Sequence, residues 1–129
     1  MDTQIFSELF AEFQNKVHED AKKKGLWPEL EGVNIDEPNE HGAATDKINV
    51  GEKLALIFAK ISNALEAERK PFHENDKHYP QFSEIGIKLA DAVIMIMDLS
   101  EALGLPLAGA ILTKVKHNQS RPHKYGKRF

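Results

Sequence analysis

Polar side chains recur along one face of an otherwise apolar segment, and they are the best candidates for chemistry in this sequence. Successive members of that face are separated by four, three, four and three residues: Glu84, Lys88, Asp91, Met95 and Asp98. Upstream, Lys60 and Asn63 have the same i, i+3 spacing. Burying polar groups without partners is costly. We therefore expect the two faces to meet and line one polar cleft.

Four segments have the periodicity of helices, and they must position these residues. We expect helices at about residues 3–24, 50–69, 83–103 and 106–118. Asp2 or Thr3 is suited to cap the first helix, and Gly25 ends it. Gly104 and Pro106 separate the third helix from the fourth. No β-alternation is evident, so the predicted fold class is all-α.

The second and third predicted helices carry more apolar residues than one contact requires. The apolar seam of the second helix consists of Leu54, Ile57, Phe58, Ile61 and Leu65. The third helix is apolar around most of its circumference, which is typical of a helix buried on more than one side. In a chain of 129 residues we expect the additional contact to be a subunit interface.

Composition and charge narrow the function classes. With 41% hydrophobic and 29% charged residues, we expect one globular domain over 1–129, with a long loop at 25–50 and a basic tail at 119–129. The chain has no cysteine, which excludes disulfides, thiolate metal sites and a cysteine nucleophile. The start MDTQIFSELF lacks the features of a signal peptide, so we expect a cytoplasmic protein without a membrane segment.

The charge is unevenly distributed along the chain. The loop segment EPNEHGAATD is acidic, whereas no Asp or Glu follows Glu101. The closing segment KVKHNQSRPHKYGKRF is therefore strongly basic and predicts an anionic partner such as phosphate, with a solvated, frayed tail as the alternative. Nucleic acid is a weaker option because the basic segment is short and no reading module is present. The six histidines show no metal-binding spacing, and we expect most at the surface: His18, His41, His73, His78, His117 and His123.

Four blocks together resemble the MazG-like all-α nucleoside triphosphate pyrophosphohydrolases. QNKVHEDAKKKGLW resembles the opening helix of that family, and GEKLALIFAKISNALEAERK its first ligand helix. EIGIKLADAVIMIMDLSEALGLPL resembles the second ligand helix, and KVKHNQSRPHKYGKRF the closing Asn, Arg and HGK-like signature. The resemblance covers nearly the whole chain and implies a four-helix unit assembled as a dimer or a dimer of dimers.

The resemblance also implies where a metal site would lie. Family members carry an ExxE pair and an ExxD pair that hold magnesium against a triphosphate, because this cation prefers converging carboxylate oxygens. The corresponding positions here are Lys60, Asn63, Lys88 and Asp91, so only Asp91 keeps its carboxylate. Unit charges ~4 Å apart interact by ~4 kcal/mol at an effective dielectric of 20. Two lysines should therefore repel a divalent ion, and we assign no catalytic residue and no metal.

The same substitutions suit an anion. Lysine binds phosphate as a point charge, and an amide can donate to phosphate without adding a negative charge. The basic closing signature matches at Lys114, Asn118, Arg121 and Lys127, which implies contacts to phosphate or base. Tyr125 stands where the motif has histidine. Trp27 is a candidate for stacking on a base, with a core aromatic as the alternative.

These observations predict a nucleotide-binding protein that does not hydrolyse its ligand. It would act as a sponge for a phosphate-bearing signal, such as a cyclic nucleotide or other second messenger in a bacterial or phage setting. One alternative is a magnesium-dependent pyrophosphohydrolase that uses Asp91, and a second is a structural pseudoenzyme. A shifted metal site is a further alternative, with four candidate ligands: Glu52, Glu66, Glu84 and Asp98.

Overall fold

The structure is a computed structural model, and it describes residues 1–32 and 44–129. Four helices follow one another: α1 (Thr3–Lys23), α2 (Val50–Arg69), α3 (Glu84–Ala102) and α4 (Leu107–Gln119). Short 3-10 turns span Pro28–Leu30, Ala44–Lys47 and His123–Gly126. For the described residues, the prediction of an all-α fold with four helices is confirmed. Most of the acidic segment EPNEHGAATD, together with His41, lies outside the described residues.

Local sequence signals set the helix boundaries. Asp2 accepts hydrogen bonds from the backbone amides at the start of α1, and Asn49 does the same for Glu52 in α2. Ser83 caps α3 through a 3.0 Å bond from the Gly86 amide. These side chains satisfy amides that have no partner within the helix. Gly25 and Gly104, with φ of 77° and 67°, turn the chain where α1 and α3 end.

Helix α3 is at the centre of the arrangement. It packs against α2 and α1, and α1 also packs against α4. The core lies where the segment after α1 meets α2 and α3, and it consists of Trp27, Leu30, Ile48, Ile57, Leu99 and Ala102. Half of these residues, Trp27, Leu30 and Ile48, come from the stretch 25–50 that was predicted to be a long loop. That stretch therefore forms part of the core at both of its described ends.

The expected seam of α2 does not face the core of this chain. Only Ile57 of the five seam residues is buried, whereas Leu54, Phe58, Ile61 and Leu65 are 46%, 71%, 45% and 57% exposed. Ala64 and Ala67 are buried instead. The buried face of α2 therefore includes small side chains, and most of the large seam residues lie outside it.

No single helix of the described chain is long and apolar enough to cross a membrane. Helices α3 and α4 pass that test only as a pair, with a 116° bend between them.

The cap of α3 gives a direct test of the fold. We expect Ser83→Ala to lower the free energy of unfolding by about 1 kcal/mol, because the Gly86 amide loses its acceptor. The matched control is Ser62→Ala, which removes the hydroxyl of an exposed residue inside α2 and should change stability by less than about 0.5 kcal/mol. Urea unfolding followed by circular dichroism measures both values. Equal effects of the two substitutions would contradict the assigned cap.

Candidate functional site

A cleft of about 400 Å³ lies between α2, α3 and the segment that follows α1. The segment after α1 contributes Leu26 and Trp27, and most of the other walls are apolar. The charged side chains of the lining are Lys53, Lys60, Asp91 and Asp98. The volume is within the range typical of small-molecule sites, and so is the combination of apolar walls with a few polar groups.

The two lysines of the cleft lie on the face of α2 that packs against α3. Lys53, Ile57, Lys60, Ala64 and Ala67 follow one another at spacings of four, three, four and three residues. The apolar members of this face are buried, and both lysines are half-buried. A cation on such a face needs a partner or an opening to solvent. The cleft provides that opening.

Asp98 links α3 to α1 and to the segment after it. Its carboxylate accepts hydrogen bonds of 2.9 and 3.0 Å from the indole Nε1 of Trp27. One of its oxygens is also 2.7 Å from Nδ1 of His18. His18 is only 2% exposed, and its imidazole packs edge-on against the Trp27 ring. Asp98 therefore accepts hydrogen bonds from two side chains of the protein, Trp27 and His18.

The other ring nitrogen of His18 is unusual. Nε2 is buried and has no hydrogen-bond partner among residues 1–32 and 44–129. If Nδ1 donates its hydrogen to Asp98, Nε2 is an unpaired acceptor, which costs about 1–3 kcal/mol. The expectation that most histidines lie at the surface is confirmed, since four of the described histidines are exposed: His73, His78, His117 and His123. Among the described histidines, His18 is the buried exception.

Lys53 is also satisfied within the protein. Its ammonium lies 3.0 Å from Glu29 and 4.2 Å from the centroid of the Trp27 ring. Burial tends to raise the pKa of Glu29, but its own backbone amide and Lys53 outweigh that effect and hold the pKa below its ordinary value. Glu29 is therefore a carboxylate at neutral pH and compensates the charge of Lys53. The cation also covers one face of the indole.

Lys60 and Asp91 remain available for a ligand. In the described part of the chain, no carboxylate forms an ion pair with Lys60. Asp91 accepts no hydrogen bond from any described group through its side chain. The two lysines and two aspartates of the cleft cancel in formal charge. With respect to residues 1–32 and 44–129, the site thus presents one unpaired cation and one unpaired carboxylate on apolar walls, which is less positive than the sequence suggested.

The other residues aligned with metal ligands are placed differently. Asn63 is exposed, Lys88 is half-buried, and neither lines the cleft. Each lies about one helical turn from a cleft residue. Asn63 follows Lys60, and Lys88 precedes Asp91. The structure thus brings together two of the four predicted positions and leaves the other two beside the opening.

The basic closing residues do not line the cleft either. Lys114 and Lys127 are exposed, and the buried Oδ1 of Asn118 has no hydrogen-bond partner in the part of the chain that the structure describes. The guanidinium of Arg121 lies 4.1 Å from the ring centroid of Tyr125, the residue that replaces the expected histidine. Tyr125 and its neighbour Lys124 have φ of 55° and 54°, a left-handed conformation that turns the chain back. The stacked pair gives this segment a defined shape.

Trp27 is mainly a core residue in this structure. It is 3% exposed, its Nε1 is held by Asp98, and Lys53 covers one face. Stacking on a base would require the Lys53 ammonium to leave the ring. The geometry therefore supports the core alternative for Trp27.

The alternative set of metal ligands does not converge. Glu84 is bound by Lys70 at 2.8 Å, Glu66 pairs with Arg69, and Asp98 is held by Trp27. Within residues 1–32 and 44–129, no group of three or more His, Cys, Asp or Glu side chains is arranged to hold a metal ion.

Comparisons of the chain with models of known protein families, with curated proteins and with solved structures found no match.

Sequence reasoning did not identify Lys53, His18 or Glu29. The signal for Lys53 was present, because it lies seven residues before Lys60 and therefore on the same helical face. No comparable signal was present for His18 or Glu29. Their contacts involve residues that are distant in sequence or that lie in an irregular segment. The structure supplies these contacts.

The Asp98 contacts predict a specific loss of stability. We expect Asp98→Ala to lower the free energy of unfolding by about 2–4 kcal/mol, because the Trp27 and His18 groups would remain buried without their acceptor. The control is Asp91→Ala, which removes another carboxylate of the same cleft. Asp91 has no described partner, so this change should lower the free energy of unfolding by less than about 1 kcal/mol. Urea unfolding at one protein concentration compares them. A larger loss of stability for Asp91→Ala than for Asp98→Ala would show that the contacts of Asp98 with Trp27 and His18 are not structural.

Proposed function

We propose that the protein is a MazG-like domain that binds a phosphate-bearing nucleotide without hydrolysing it. One observation carries the proposal: Lys60 lines an otherwise largely apolar cleft and has no carboxylate partner in the described part of the chain. A lysine held on a helix face in this way is suited to bind phosphate as a point charge. The apolar side chains of the same cleft are suited to contact a base or sugar.

The lack of converging free carboxylates in the described part of the cleft supports binding rather than metal catalysis. Asp91 is the one carboxylate of the cleft without a described partner, and Lys60 lines the same opening. Magnesium sites in proteins use several oxygen ligands, commonly carboxylates together with waters and substrate phosphates. A single carboxylate in a cleft that also holds the ammonium group of Lys60 is a poor substitute. Asp91 is better suited to accept a hydrogen bond from an amino or hydroxyl group of the ligand.

In this proposal the protein is a sponge for a nucleotide signal, such as a cyclic nucleotide or another second messenger. Lys60 would bind phosphate, and Lys88 and Asn63 would contact the ligand where it extends beyond the cleft. The C-terminal segment of the chain, from Lys114 to Lys127, would approach the ligand. The working form would be a homo-oligomer, a dimer or a dimer of dimers.

Nucleotide capture tests the proposal directly. The purified protein is incubated with nucleoside triphosphates and cyclic nucleotides, with and without magnesium, and the nucleotides retained after filtration are identified by mass spectrometry. We expect intact nucleotide to be retained and released on denaturation. Monophosphates formed only with magnesium would support the pyrophosphohydrolase instead. No retention of any nucleotide would support a structural pseudoenzyme.

Charge reversal distinguishes the residues of the proposed site. We expect Lys60→Glu to weaken binding of the captured nucleotide by at least about 30-fold, because a charge-assisted bond becomes a repulsion. Lys88→Glu should have a smaller effect of about tenfold or less, since Lys88 does not line the cleft. The control Lys77→Glu changes an exposed lysine in the loop between α2 and α3 and should leave affinity unchanged. Equal affinities of wild type and Lys60→Glu would exclude Lys60 as the phosphate ligand.

A further inference from the structure

Lys53 lines the cleft, but the carboxylate that compensates its charge does not. The Lys53 ammonium lies 3.0 Å from Glu29 and 4.2 Å from the centroid of the Trp27 ring. Trp27 belongs to the lining of the cleft, whereas Glu29 lies in the 3-10 turn Pro28–Leu30 and is not part of that lining. A movement of the ammonium into the cleft would therefore separate it from Glu29 and uncover one face of the indole.

The ion pair of Lys53 and Glu29 is partly accessible to water. Their side chains are 17% and 21% exposed, so neither charge is deeply buried. Water reaches the Glu29 carboxylate and would solvate it once the ammonium had left. Lysine has a flexible stem, and phosphate accepts charge-assisted hydrogen bonds from an ammonium as a carboxylate does. A phosphate in the cleft would therefore replace Glu29 without leaving either charge unpaired in the protein interior.

The spacing of Lys53 and Lys60 suits an extended anion. The two residues are seven positions apart, which places their backbones ~10 Å apart along α2. Both side chains line the same cleft. Among the described residues, Glu29 is the one carboxylate that pairs with Lys53, and none pairs with Lys60. A ligand that spans this distance would meet one unpaired ammonium and one that must first leave its carboxylate.

We infer, on the basis of the proposed function, that Lys53 is a second phosphate-binding residue of the cleft and that Glu29 competes with the ligand for it. The ligand is then a nucleotide with at least two phosphate groups. A single phosphate would bind Lys60 and leave Lys53 on Glu29. A ligand with two or more phosphates would engage both lysines, and the uncovered face of Trp27 would accept a base. Phosphate binding and base stacking would thus be coupled through one side chain.

Titration with inorganic tripolyphosphate tests this competition without any base. Calorimetry at fixed ionic strength, without magnesium, compares tripolyphosphate with orthophosphate. We expect Glu29→Gln to bind tripolyphosphate about fivefold more tightly than the wild type, because Lys53 no longer has to leave a carboxylate. Lys53→Gln should bind it about tenfold more weakly. The affinity for orthophosphate should change by less than about twofold in both variants, since Lys60 binds it.

Each substitution has a matched control. Glu31→Gln removes the same charge two residues after Glu29, from an exposed side chain that does not line the cleft and forms no ion pair with the described residues. Lys77→Gln removes an exposed lysine from the loop between α2 and α3. Both control variants should bind tripolyphosphate as the wild type does. A helical circular dichroism spectrum shows that each variant is folded.

The position of Lys53 can also be followed directly, by NMR of the protein with isotope-labelled lysine Cε. The ring current of the indole shifts the resonance of a lysine stem that lies above its face, and the Lys53 signal is identified by its absence from Lys53→Gln. We expect tripolyphosphate to move this signal toward those of the exposed lysines. Orthophosphate should leave it in place.

The results separate the role of Lys53 from the proposed function. Equal tripolyphosphate affinities of Glu29→Gln and the wild type would exclude the competition, and so would equal tightening by Glu31→Gln. Binding of tripolyphosphate with an unmoved Lys53 signal would exclude Lys53 as a phosphate ligand. In these cases binding at Lys60 would still stand. If no variant binds tripolyphosphate, the role of Lys53 is also excluded, and nucleotide capture decides on the proposed function separately.

Discussion

The partly buried Asp98 carboxylate makes the contacts on which the site depends. It joins α3 to Trp27 in the segment after α1 and to His18 within α1, across 71 and 80 residues of sequence. A buried carboxylate is stable only if hydrogen-bond donors satisfy it, and here an indole and an imidazole lie within reach. Those contacts fix Trp27 as a wall of the cleft. Lys53 and Glu29 then follow, because the cation lies on the indole and needs a carboxylate.

Helical periodicity predicted the elements well, because local signals determine them. The helices begin and end within a few residues of the positions expected from Asp2, Gly25, Ser83 and Gly104. Helical periodicity predicted the buried face of α2 poorly. A seam of large apolar residues and a stripe containing Ile57 and Ala64 are both compatible with a helix, and only the packing of α3 selects between them.

The candidate site was predictable only in part, for the same reason. Lys60 and Asp91 were expected to face each other, and both line one cleft. Asn63 and Lys88 have equally suitable spacing but lie beyond its edge. The roles of Lys53 and Asp98 depend on residues from the irregular segment after α1, where no periodicity relates one position to another. Spacing places residues on a face, whereas tertiary contacts decide which of them are free to bind.

The position of Trp27 has a practical consequence for spectroscopy. It is the single tryptophan of the chain, and it touches the core, the cleft and the charged pair of Lys53 and Glu29 at once. Its emission therefore comes from one defined place rather than from an average over the molecule. A shift in the Trp27 emission reports a change at the cleft or in the contacts that hold Trp27. Changes in parts of the helices distant from the indole do not alter the emission.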